Sequence, residues 1–229
     1  MTVERLLERN RLWSRRVRDT DPGFFPRLAR QQTPQYLWIG CSDSRVAANQ
    51  ILDLAPGEVF THRNIANVVS SGDLNCQSVL QFAVDVLRVR HIMVVGHYGC
   101  GGVRAALSEQ RMGLVDTWLR QVHEVRERHH DLLERAPARL REDLLCELNV
   151  LMQFSHACHS LPVMDAWHRG QSVQIHGLIY GLRDGLLRDL GLSAASTVQA
   201  QAAAKRFTRG LAAQNAAVDR FAESIAAPA

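Results

Sequence analysis

"HIMVVGHYGCGGVRAAL", residues 91–107, runs apolar from Ile92 to Val95, stops at Gly96, sets down His97 and Cys100, and opens a helical stretch at Gly101. An apolar strand without alternation is what a parallel sheet covered on both faces requires. "QYLWIG", residues 35–40, repeats the device: Leu37, Trp38 and Ile39 end at Gly40, and Cys41, Asp43 and Arg45 follow at every second position. Between these strands, "NCQSVLQFAVDVLRVR" (75–90) reads as one amphipathic helix with Val79, Phe82, Ala83, Val86 and Leu87 on its apolar stripe. Strand, helix and strand in alternation predict an α/β fold, a mostly parallel β-sheet flanked by helices.

Further elements extend this core. Val3, Leu6, Leu7, Leu12 and Trp13 fall at helical spacing over 2–18, which predicts an N-terminal helical arm ending in the Asp21-Pro22-Gly23 turn, a short helix and a stop at Pro34. A second strand is expected at 58–62, helices within 114–135 and 137–160, and a strand in "SVQIHGLIYGL" (172–182). The Ala-rich stretch 195–224 reads as helix. No repeat or linker interrupts the chain, so a single domain over 1–229 is expected, with 1–34 as arm and 195–229 as tail.

The bulk composition narrows the function classes. Of 229 residues, 46% are hydrophobic and 22% charged, enough for a sizeable core, and the net charge of +4 is scattered. No basic block argues for nucleic acid, and no apolar run approaches the roughly 20 residues that span a bilayer. The N-terminus lacks the apolar centre of a secretory signal. Five irregularly spaced cysteines suit free thiols or metal ligands in a reducing compartment, so a cytoplasmic location is expected.

In open α/β sheets, functional sites form at the carboxyl ends of strands. Cys41 lies at one such end, and His97 with Cys100 at another. Two thiolates and an imidazole suit Zn²⁺, one per chain, with a vertex left for water or a fourth ligand. Asp43 is the candidate for that vertex, and Arg45 competes for it. Pairing with Arg45 leaves the zinc open to water, whereas ligation by Asp43 closes the shell. The bland alternative makes Cys41 and Cys100 small core residues and His97 a satisfied polar one.

"CSDSRV", "HRNIAN" and "GHYGCGGV", with "DPGFF", "CELNV" and "DGLLRDL" around them, resemble the β-class carbonic anhydrases, in particular a bacterial, bicarbonate-regulated subgroup, over roughly residues 10–192. The resemblance implies reversible hydration of CO₂ to bicarbonate and a proton by zinc-bound hydroxide. It makes Cys41, His97 and Cys100 the zinc ligands, with Asp43 joining them only in a closed state, and Asp43 with Arg45 the catalytic dyad. Gln32, Phe82, Gly101 and Gly102 are implied at the substrate. Gln32 and Phe82 would reach a neighbouring subunit's zinc in a homodimer or homotetramer. Phe82 stands where this family often has tyrosine. A second, inhibitory bicarbonate pocket is implied at Trp38, Arg63 and Tyr180. Ala47, Ala48 and Asn49 replace the usual proline and acidic residue after "SRV".

Two other functions fit parts of the same motifs. Relatives that hydrolyse CS₂ or COS use the same chemistry on the same motifs. A non-enzymatic phosphate- or nucleotide-binding module would use the glycines of "HYGCGGV", but the G-x-G-x-x-G and Gly-Lys-Ser/Thr patterns are missing and Cys100 has no role there. His156 and His159 read as a helix surface, and His123, His129 and His130 as a solvated face. Cys76 and Cys146 read as small buried residues, and His62 as packed near the Asp43 loop.

Overall fold

The computed structural model describes residues 2–30, 32–108 and 111–226, with side chains through residue 213. The chain opens with helices α1 (Val3–Thr20) and α2 (Phe24–Arg30), followed by strand β1 (Tyr36–Cys41), helix α3 (Ala48–Leu52) and strand β2 (Val59–Asn64). Helix α4 (Leu74–Gln81), strand β3 (His91–His97) and helices α5 (Gly101–Leu107), α6 (Leu114–Arg128), α7 (His130–Arg135), α8 (Ala138–Cys158) and α9 (Leu161–His168) come next. Strands β4 (Gln174–Tyr180) and β5 (Leu187–Ala194) precede helix α10 (Thr197–Ala226). The last three residues of the expected tail, and residues 1 and 31 of the expected arm, lie outside the described residues.

The sheet order is β2-β1-β3-β4-β5, parallel through β4, with β5 antiparallel on the edge. The expected α/β architecture is therefore the observed one. Leu37, Ile39, Ile92, Val94, Ile175 and Ile179 point into the larger apolar cluster beneath α4, α5, α6 and α8. Trp38, Met93 and Val95 point the other way, into a smaller cluster with Val46 and Ala48. Both faces are covered, which accounts for the unbroken apolar runs of β1 and β3.

The single amphipathic helix expected at 75–90 is broken. Regular α4 ends at Gln81, and Phe82–Val86 forms a π-type turn closed by Leu87 N–H to Phe82 O at 2.9 Å. Phe82 and Val86 are exposed, not on the core stripe. An inserted residue in a helix shifts every later side chain around the axis, so a fixed 3.6-residue period misassigns them. Strand β5 also escaped the pattern. Its pairing with β4 shifts register by two residues at Gly177/Leu178, leaving Leu190 and Gly191 unpaired, and such a bulge interrupts the short run by which a strand is read.

α1 has no buried residue, and Val3, Leu6, Leu7, Leu12 and Trp13 are all exposed. It touches α2 through Trp13, edge-on to Phe25 at 5.6 Å. Among the described residues no helix is long and apolar enough to cross a membrane.

α8 presses closely on the sheet. A Cβ added at Gly177 would sit 2.8 Å from Leu192 Cβ in β5 and 3.2 Å from Val150 Cγ1 in α8. Gly177→Ala is therefore expected to cost about 1–3 kcal/mol through overpacking, read as a melting temperature lower by about 2–12 °C.

Candidate metal centre

The order β2-β1-β3 makes the gap between β1 and β3 the point where chain direction across the sheet reverses, and ligand sites form outside the strand ends there. β1 ends at Cys41, while β3 ends at His97. The turn after β3 passes through Gly99 at φ +69°, which favours glycine, and returns Cys100 toward Cys41. The two sulfurs lie 3.8 Å apart. One ligand atom each from Cys41, His97 and Cys100 falls within 4.8 Å of the others, and all three residues are buried.

The donor set fits a zinc ion. His97 Nδ1 lies 3.1 Å from the Tyr98 carbonyl, which fixes the proton there and leaves Nε2 as a bare lone pair. That Nε2 is buried and has no hydrogen-bond partner. A buried, unpartnered nitrogen facing two sulfurs is costly unless a cation satisfies it. The sulfurs make the same demand. They share one hydrogen bond that either thiol can donate, and this mutual contact holds Cys41 below the usual thiol range and pushes Cys100 up. A divalent ion replaces the proton of that bond and lets both sulfurs carry charge.

Asp43 is in the grip of Arg45. Its Oδ1 accepts from Arg45 N–H at 3.0 Å and from Nε at 2.9 Å, and its Oδ2 accepts from Nη2 at 2.6 Å. The fork holds the Asp43 carboxyl far below the ordinary carboxylate range. Oδ2 stands 3.8 Å from His97 Nε2, at the edge of the three-ligand cluster. A second guanidinium holds the backbone of the same loop: Arg63 Nε donates to Cys41 O at 2.9 Å, and Nη2 donates to Asp43 O.

The remaining sequence-derived candidates spread around this centre. Gly101 and Gly102 open α5 directly after Cys100, and a Cβ on Gly102 would strike Ile65 Cγ2 at 2.8 Å. Trp38 is fully buried, its Nε1 has no acceptor, and it packs in one cluster with Val46 and Tyr180. Arg63 lies across β1 from them, paired in register with Gly40. Asn49 is engaged elsewhere, donating to Leu54 O and Ala55 O. Gln32 is exposed before Pro34, and Phe82 tilts against Phe60 at 5.8 Å. Gln32 thus sits in the stretch before β1 and Phe82 in the π-type turn, away from the strand ends that carry Cys41 and His97.

Three histidine and cysteine readings are settled by packing. Cys76 and Cys146 are buried, as expected. His62 is buried beside Asp73 and Cys76, and its Nε2 meets the Asn64 amide at 3.3 Å. His156 corrects its surface reading: it is half-buried, with Nδ1 2.8 Å from the Val69 carbonyl. The same Nδ1 lies 3.3 Å from Gln153 Oε1, and Gln153 bonds Asn149, so His156 adjoins two buried amides that residue types alone did not single out. The available signal was their i, i+4 spacing on an otherwise apolar helix face.

The chain matches the family model described as carbonic anhydrase over residues 36–187. It is 43% identical over 194 residues to a carbonic anhydrase of Emericella nidulans, across 83% of this chain and 84% of that one. Among solved structures, a Coccomyxa β-carbonic anhydrase in complex with acetazolamide is similar at a TM-score of 0.84 and 40% identity, covering 88% of this chain and 91% of that one. One of two tetrameric β-carbonic anhydrases from the filamentous ascomycete Sordaria macrospora is similar at 0.79 and 38% identity, covering 84% and 98%. A family model over two thirds of the chain, and β-class relatives at this identity along nearly their whole length, show that the chain belongs to the carbonic anhydrase family, in its β class.

Proposed function

We propose that this carbonic anhydrase hydrates CO₂ with one zinc ion held by Cys41, His97 and Cys100, and that Asp43 and Arg45 act beside that ion. The observation that carries the reading is the buried, unpartnered His97 Nε2 facing a pair of sulfurs 3.8 Å apart. Bound zinc supplies Lewis acidity that turns water into a nucleophile near neutral pH.

The chain's own groups do the rest. Arg45 keeps Asp43 ionised and fixes its plane, so Oδ2 can accept a hydrogen bond from the reacting water and orient it toward CO₂. CO₂ is small and uncharged, so positioning outweighs contact energy. In our reading Gly101 and Gly102 border the substrate because they carry no side chains, and Gln32 and Phe82 approach it from a second copy. The exposed apolar stripe of α1 and the tetrameric Sordaria proteins support a homodimer or homotetramer. We read 1–229 as one domain, and the free cysteines as suiting the cytoplasm. Family membership displaces the phosphate-module alternative, and no structural observation favours CS₂ or COS over CO₂.

Regulation by bicarbonate is also part of the proposal, although the relatives named above include fungal enzymes and lend no support to a bacterial subgroup. The unpartnered Trp38 Nε1 and the neighbouring Tyr180 and Arg63 offer donors of the kind an oxyanion takes. Arg63 already holds Cys41 O and Asp43 O, so an anion drawing it away would loosen the loop and free Asp43 to close the metal's open vertex.

Three outcomes are expected. Purified protein contains about one zinc per chain, and Cys100→Ala contains almost none and hydrates no CO₂; metal analysis beside stopped-flow hydration checks both, and a metal-free preparation with full activity would sink the assignment. Arg45→Gln leaves zinc content unchanged but lowers kcat/KM for CO₂ by about a hundredfold, the scale of a displaced proton-handling group. Bicarbonate at pH 7 slows hydration beyond the mass-action effect of product, and Tyr180→Phe raises the concentration needed by about tenfold, one charge-assisted hydrogen bond. A rate indifferent to bicarbonate removes the second pocket.

A further inference from the structure

The turn Ile65–Asn67, after β2, holds two consecutive non-glycine residues in the left-handed region: Ala66 at φ 64° and Asn67 at φ 46°. Such backbone persists only where its surroundings enforce it. The turn is wedged between the two cysteine-bearing segments. Cys41 is paired in register with Asn64, the residue before the turn, and Ser42 N–H donates to Asn64 O at 2.9 Å; the backbone N–H groups of Asp43 and Ala66 help hold the Cys41 sulfur below the usual thiol range. On the other side Gly102, two residues past Cys100, has room for no Cβ against Ile65 and Ala66, at 2.8 and 3.1 Å.

The side chains holding this turn come from far along the chain. Trp118 Nε1 donates to Ile65 O at 2.8 Å, from α6. Asn149 Nδ2 donates to Ala66 O at 2.9 Å, from α8. Gln153 Nε2 donates to Asn149 Oδ1 at 2.9 Å, while Gln153 Oε1 accepts from Val69 N–H at 2.8 Å. This series has one direction only. Val69 N–H occupies the Gln153 oxygen, so the Gln153 amide must face the Asn149 oxygen, and the Asn149 amide must face Ala66. Both side chains are essentially fully buried, at 1% and 0% exposure. Two amides in an apolar core are costly unless their bonds are needed.

We infer that Asn149, seconded by Gln153 and Trp118, is a positioning residue for the metal centre: it pins the left-handed turn so that Ala66 N–H stays on the Cys41 sulfur and the turn backs the helix that follows Cys100. The inference rests on the reading that Cys41 is a zinc ligand. An N–H donated to a ligating sulfur draws charge from it and fixes its direction, as outer partners of metal ligands do. With the turn released, the sulfur donates more charge to the metal and is held less firmly.

The test uses the full chain, zinc-loaded, with Asn149→Leu, which keeps side-chain bulk but has no amide, and Trp118→Phe, a milder loss of one donor to the same turn. Zinc release into excess chelator is expected to be at least about tenfold faster in Asn149→Leu and faster by a smaller factor in Trp118→Phe. In cobalt-substituted protein the sulfur-to-cobalt charge-transfer band is expected to move to longer wavelength in both, a change that a general loss of stability does not produce. If Asn149→Leu does not fold, Trp118→Phe decides by the same two readouts. Wild-type release rates with an unmoved band overturn the inference while leaving the ligand assignment standing. A wild-type cobalt protein with no sulfur-to-cobalt band overturns the ligand assignment, and this inference with it.

Discussion

The pairing of β1 with β3 is the constraint on which the site depends. Five residue pairs, Tyr36 with His91 through Gly40 with Val95, bring the ends of two strands distant in sequence to the same level. Cys41 lies one step beyond the last pair on β1 and His97 two steps beyond on β3. A shift of one residue in this register would turn Cys41 to the opposite face. Burial of Leu37 and Ile39 against Ile92 and Val94 sets the register, and the core in that sense aims the sulfur.

Two arginines divide the loop after β1 between them. Arg45 acts on the Asp43 side chain and Arg63 on the backbone carbonyls on either side of Ser42. Arg45 belongs to the loop it holds, whereas Arg63 reaches across from β2. The carboxylate's orientation therefore depends on both a local contact and the edge of the sheet. Val46, the first residue past this loop to be fully buried, ties it to Trp38 and the smaller apolar cluster.

Much of this was legible in the sequence, because the informative residues stand where apolar runs stop. β3 was delimited by its apolar run and Gly96, and the cluster of Cys41, His97 and Cys100 by their places at strand ends. Residue types left open whether Asp43 takes Arg45 or faces the cysteine–histidine cluster, because that turns on the conformation of one loop, in which Asp43 pairs with Arg45. Phe82 and β5 failed for a common reason: a π-type turn in one case and a two-residue bulge in the other interrupt a period the eye assumes constant. The Ala66–Asn67 turn left no trace in residue type, because alanine gives no warning of a positive φ. Its partners Asn149 and Gln153 were visible as polar residues on an apolar face, but their destinations 83 and 84 residues upstream were a matter of tertiary structure.

The five cysteines fall into two chemical populations. Burial pushes the Cys76 thiol up to about 12, and raises Cys146 and Cys158 further, so these three stay protonated and are poor nucleophiles. Sulfur reactivity is thereby concentrated in Cys41 and Cys100, the two that stand together at the strand ends. If the proposed zinc sits between them, it doubles as a protecting group, and stripping it exposes a vicinal thiol–thiolate pair to peroxide. On that reading, metal starvation and oxidative damage are one vulnerability reached by two routes.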